Sequence, residues 1–135
     1  MTLFMLDTNI ASAALRGSAT LDMRLQNLAP ENWCISAITR AEMMFGLALK
    51  PEATRLAQYV NAFLLAARTE PWTHAAADNH GRIRAHLEKR GKHIGDFDEM
   101  IAAHALALGA VLVTDNTRHF NRVEGLRLEN WIRPR

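Results

Sequence analysis

Four carboxylates stand where this sequence can do chemistry: Asp7, Glu42, Asp98 and Asp115. Two of them share a local pattern. "FMLDTN" at 4–9 and "VLVTDN" at 111–116 are short apolar runs that pass at once into threonine, aspartate and asparagine. In open parallel sheets, ligands bind outside the carboxyl ends of the strands. If the two runs are neighbouring strands, Asp7 meets Asp115 or Asn116 at that edge. Loop starts and helix caps use the same residue types. Asn9 suits that plainer role, while Asp7, first after its run, suits it less.

The other two acids come from helical patterns. In "GDFDEMIAAHALALG", Asp96 is the expected N-cap and Glu99 its N3 partner, a capping box with aspartate in place of serine or threonine. Asp98 is then left at N2. It shares a face with Ile101, Ala102 and Ala105 and is expected to be buried, where a carboxylate needs a cation. The helix dipole alone also favours an acid there. Glu42, in "SAITRAEMMFG", interrupts an apolar surface between Ile38 and Phe45. Converging carboxylates repel, and protonation or a hard cation relieves them. Mg2+ and Mn2+ take oxygen ligands and suit phosphate substrates. Such a site would hydrolyse phosphodiesters through an activated water.

Placing these acids falls to an alternation of strands and helices. Strands are expected at 3–6, 33–36 and 110–114, with an edge strand at 68–72, given Pro71, and a last short one at 126–130. Helices are expected at 10–17, 18–29, 37–49, 52–67, 75–91 and 96–109, with Gly17, Pro30, Pro51, Gly91 and Gly109 as stops. The strongest strand runs are apolar at every position. That is the mark of a parallel sheet covered on both faces.

Composition narrows the function classes. The chain has 135 residues, 49% hydrophobic and 22% charged, which suits one domain with a packed core. A net charge of +2 permits a polyanionic partner without demanding one. The lone Cys34 excludes an intrachain disulfide or a cysteine zinc site, and its apolar run marks a buried, reduced thiol. The six histidines form no i, i+4 pair and no H-E-x-x-H, against a zinc protease; no G-x-S-x-G or P-loop occurs. There is no basic leader before the first apolar run and no stretch of about 20 apolar residues, so a cytoplasmic protein without a membrane segment is expected. Arg82, Arg84, Lys89, Arg90 and Lys92 are either a phosphate grip or a solvated helix face. Arg40 and Arg118, close in sequence to Glu42 and Asp115, are better placed to meet a substrate, or are plain surface ion-pair partners.

"FMLDTNIAS", "SAITRAEMMFGL", "IGDFDEMIAAHALALGAVLVTDNTRHF" and "VEGLRLENW" together resemble the PIN-domain ribonucleases, and more closely the VapC toxins of bacterial VapBC toxin–antitoxin systems. The motifs stand in order and span nearly the whole chain. The resemblance implies an α/β, PIN-like three-layer fold, with a twisted, mainly parallel sheet flanked by helices, as a single domain over 1–135. It implies a Mg2+- or Mn2+-dependent endoribonuclease. Asp7 and Asp98 become metal ligands, Glu42 the second acid, and Asp115 or Asn116 the fourth position. Thr8 or Asn9, with Thr114, would orient the carboxylates. The implied partners are an RNA substrate, with tRNA the guess, a VapB-type antitoxin and a second copy of the chain. Operator DNA would be met only indirectly, through the antitoxin. The antitoxin is expected on the apolar side of 37–49 and 53–67, where Met43, Met44, Phe45, Leu49, Tyr59, Phe63 and Leu64 exceed what one sheet face needs. A non-catalytic RNA- or protein-binding module would require a lost acid, and none is lost. A DNA-directed nuclease is the lesser alternative.

Overall fold

The computed structural model describes residues 1–133. Five strands, Phe4–Leu6 (β1), Trp33–Ser36 (β2), Arg68–Glu70 (β3), Val111–Val113 (β4) and Leu128–Glu129 (β5), form one sheet in the order β3-β2-β1-β4-β5. Every neighbouring pair is parallel, so the sheet expected to be mainly parallel is wholly so. Successive strand residues face opposite sides, and here both sides are core. Leu6, Ile35 and Val113 pack on one face with Ile10, Leu21, Met43, Val60, Leu64 and Trp131. Met5, Cys34 and Leu112 pack on the other with Leu87, Ile101, Ala105 and Phe120. This is why the central strands read as unbroken apolar runs. Burial pushes the Cys34 thiol up to about 12, with the Glu70 charge adding to it, so it is an inert core group. The edge position expected of 68–72 holds: β3 is the outermost strand on its side and pairs only with β2.

The helices are Thr8–Leu15 (α1), Ala19–Gln26 (α2), Ala37–Leu49 (α3), Thr54–Ala66 (α4), His74–Lys89 (α5), Asp96–Leu108 (α6) and Thr117–Phe120 (α7). The four-residue α7 and a 3-10 turn at Pro30–Asn32 are too short for periodicity to reveal. α1 begins two residues earlier than expected, because Asp7 caps it. Its Oδ1 accepts a hydrogen bond from the Ile10 N–H at 2.8 Å. Asn9, the residue expected in a plain capping or loop role, is an exposed first-turn residue instead.

The capping box expected at α6 does not form. The N-cap is Gly95, at φ 111, a conformation that side-chain-bearing residues avoid, so the chain enters the helix one residue early. Asp96 is an exposed first helical residue, and Asp98 falls at N3 rather than N2. Glu99 is the fully buried acid of this turn. Its Oε2 accepts from the Ile94 N–H at 3.3 Å and lies 3.3 Å from His93 Nδ1. Asp98, expected to be buried, is half-buried. Among the described residues no helix is long and apolar enough to cross a membrane.

Candidate active site

β1 and β4 are neighbours in register, Leu6 opposite Val113, and the Asp7 N–H donates to the Val113 carbonyl at 3.0 Å. The sheet grows from β1 towards β3 on one side and from β4 towards β5 on the other. The crevice beyond β1 and β4 is therefore the switch point at which open α/β sheets place their ligands. Asp7 stands there and is only 2% exposed. Burial raises its carboxyl from 3.8 to about 6; hydrogen bonds from Thr114 and the Ile10 N–H oppose the rise, and the Asp98 and Asp115 charges add to it. Asp98 is also raised, first by burial and then by Glu42, while His119 works the other way. The four acids from four distant stretches of sequence are thus charge neighbours at one sheet edge.

Hydroxyls fix two of these carboxylates. Thr8 Oγ1 donates to Glu42 Oε1 at 2.6 Å and lies 3.1 Å from Thr39 Oγ1, so β1's exit holds the acid of α3. Thr114 holds Asp7 and also accepts from the Asn116 N–H at 2.9 Å. Thr8 thus bonds the Glu42 carboxylate and Thr114 bears on that of Asp7, while Asn9 makes no side-chain hydrogen bond among the described residues. At the fourth position the two candidates separate. Asp115 Oδ1 accepts from Asn130 Nδ2 at 2.9 Å and pairs with Arg133 Nε at 3.3 Å. Asn116 instead places its amide 2.8 Å from His119 Nδ1. Asp115 bears on Asp7 by charge; Asn116 supports the imidazole beside Asp98. Arg40 reaches Thr69 Oγ1 at 3.3 Å, and Arg118 is exposed on α7. Neither bonds to the four acids. Thr39, His119 and Asn130 lie within the quoted motifs, but no spacing rule singled them out.

Residues 4–126 match the family described as PIN domain. The chain belongs to the PIN-domain family. It is 37% identical to the tRNA(fMet)-specific endonuclease VapC of Shigella flexneri, over 97% of this chain and 99% of that one. It is 36% identical to Ribonuclease VapC2 of Haemophilus influenzae, over 98% of this chain and 100% of that one. A crystal structure of DNA-bound VapBC from Salmonella typhimurium superposes with a TM-score of 0.90 at 36% identity, covering 97% of this chain and 99% of that one.

Clefts open onto two of the acids of this PIN domain, Glu42 and Asp115. One, of about 480 Å³, is lined by Thr8, Ala41, Glu42, Phe45 and Phe97, with the two phenylalanines 64% and 56% exposed. Another, of about 420 Å³, is lined by Asn9, Ser12, Arg16, Asp115, Asn116 and Arg133 among others. Among the described residues no three carboxylate, imidazole or thiol groups close into a ready-made metal cage. Mg2+ rarely uses one. It keeps several waters and takes one or two carboxylates plus substrate phosphate oxygens. A set of hard carboxylate oxygens, with Asp7 and Asp98 raised chiefly by burial, fits such an ion.

Proposed function

We propose that this PIN domain is a Mg2+- or Mn2+-dependent endoribonuclease, the toxin of a VapBC-type pair. The observation that carries the reading is the convergence of Asp7, Glu42, Asp98 and Asp115 beyond β1 and β4, with Asp7 held near pKa 6. Asp7 and Asp98 would hold the ion, which when bound neutralises the acids and the phosphate and makes water a stronger nucleophile. The chain's own residues set the stage. Asp7 is locked by the Ile10 N–H and Thr114, so its carboxylate stays at the crevice. Thr8 occupies Glu42 Oε1, which leaves Oε2 to accept a hydrogen bond from the attacking water. The first turn of α6 favours the negative charge of Asp98 through the helix dipole.

The substrate to try first is initiator tRNA, because the Shigella relative carries the name tRNA(fMet)-specific endonuclease. The partner is an antitoxin, as in the VapBC complex that the fold matches. Of the apolar side chains on α3 and α4, Met43 and Leu64 fill the core and Phe63 is half-buried. Met44, Phe45, Leu49 and Tyr59 stay exposed, an apolar strip suited to an amphipathic helix. A basic antitoxin residue would meet the anionic crevice. Homodimerisation accompanies this reading, and operator DNA would be met through the antitoxin.

The test is cleavage of a tRNA(fMet) transcript by the purified chain. Cutting should require Mg2+ or Mn2+, stop with EDTA, and vanish in Asp98→Asn. Cutting that ignores EDTA, or an Asp98→Asn protein at the wild-type rate, would sink the reading. Co-expression with a cognate VapB-type antitoxin should give a stable complex with suppressed activity. If no such antitoxin binds and inhibits the chain, a housekeeping nuclease becomes the better account.

A further inference from the structure

Ser36 and His104 form a buried polar pair that the proposed chemistry does not use. Ser36 Oγ lies 2.7 Å from His104 Nδ1, and both side chains are fully buried. Ser36 is also the N-cap of α3, accepting from the Ile38 N–H at 3.0 Å. The Trp72 ring packs edge-on against the imidazole, centroids 5.5 Å apart, and fixes its other side. Burial lowers the His104 pKa, so the imidazole is neutral near pH 7.

The placement of this pair matters more than its chemistry. Ser36, the N-cap of α3, precedes Glu42 by six residues, and His104 follows Asp98 by six on α6. Six residues span about 9 Å of helix. The two helices therefore run in opposite directions with two meeting points. At one, Glu42 and Phe97, the residue before Asp98, line the same cleft. At the other, about 9 Å away, a short hydrogen bond draws the same two helices together. A buried bond of this kind costs more to break than its net worth, because each partner left unpaired loses its hydration without compensation.

We propose that the Ser36–His104 hydrogen bond is a clamp that sets the spacing of Glu42 and Asp98. It makes His104 a positioning residue of a site it never touches. The inference rests on the reading of those acids as an Mg2+ or Mn2+ site. Residues that orient metal-binding groups from behind typically change affinity or rate by about 10- to 100-fold when removed.

The test uses the full-length chain, with Mn2+ affinity measured from the electron paramagnetic resonance signal of the free ion and kcat and KM measured on a tRNA(fMet) transcript. All variants are assayed at a temperature where circular dichroism shows them folded. Ser36→Ala and His104→Leu should each weaken Mn2+ binding about tenfold or more and lower kcat, with KM changed less than about twofold. Their combination should be no worse than either alone. His104→Asn, which keeps a polar atom near the Nδ1 position, should recover most of both losses. Should His104→Leu not fold, Ser36→Ala carries the same test. Variants that melt lower yet keep wild-type Mn2+ affinity and kcat would overturn the clamp and leave only a core contact. Asp98→Asn separates the two ideas. If it abolishes Mn2+ binding while the clamp variants keep wild-type affinity, only the clamp fails. If it too leaves binding and cleavage unchanged, the site reading itself fails and the clamp with it.

Discussion

The exits of β1 and β4 carry nearly the same residues and put them to different use. After β1 the aspartate comes first, and Asp7 is buried, capping α1, with its carboxyl raised to about 6. After β4 the threonine comes first, so Thr114 takes the buried place and hydrogen-bonds Asp7. Asp115, one step later, is half-buried and already has Asn130 and Arg133 as partners. A shift of one position beyond a strand end turns a stored, unbalanced charge into a neutralised one. Distance from the strand end, more than residue type, decides which acid is paired with a cationic side chain.

The sharpest way to break this comparison is to neutralise each aspartate in turn. Asp7→Asn should lower kcat/KM for RNA cleavage by more than about 100-fold, while Asp115→Asn should cost about tenfold or less, since its charge is partly cancelled by Arg133. Equal losses would erase the distinction drawn between the two exits.

The next contrast is in stability against pH, measured by urea unfolding of metal-free protein. The folded state raises the Asp7 carboxyl from 3.8 to about 6, so it holds that proton more tightly than the unfolded chain does. The stability Asp7 contributes is complete below pH 3.8 and is lost as pH rises through about 6. The full swing is on the order of 3 kcal/mol. Asp7→Asn should flatten the profile in that window, and Asp115→Asn should narrow it only slightly, since the Asp115 charge is the smallest cause of the Asp7 rise.

Smaller effects follow at the periphery. Arg133→Ala removes an exposed partner of Asp115 and should change unfolding free energy by less than about 1 kcal/mol, with the difference fading in high salt. Asp96→Ala should move it by no more than about 0.5 kcal/mol, because Gly95 holds the cap position. A loss of 1 kcal/mol or more there would restore the capping role that the fold denies it.

Most of the scaffold was legible because its signals are strong and local. β2 and α3 fall on the expected residues, since an apolar run ends in Ser36, a good N-cap, ahead of a helical pattern. Asp7, Glu42 and Asp98 were legible as acids interrupting apolar surface, and the fold brings them together. The α6 cap was misjudged because Gly95's positive φ cannot be inferred from a sequence in which Asp96 fits the cap pattern equally well. His119, Asn130 and the Ser36–His104 pair were invisible for another reason. Each acts through a contact between segments far apart in sequence, and no spacing rule reports such contacts.

The central claim is that clustered acids, with Asp7 at their centre, repel until a divalent ion relieves them. Thermal unfolding of wild type and Asp7→Asn, each with and without Mn2+, tests it without any knowledge of the RNA. Asparagine keeps the helix cap, so the metal-free variant should melt higher than metal-free wild type. Saturating Mn2+ should then raise the melting temperature of wild type, by about 3 kcal/mol of stabilisation at a hundredfold excess over Kd, and leave the variant where it was. A variant that melts no higher without metal, yet gains as much as wild type from Mn2+, would contradict the account.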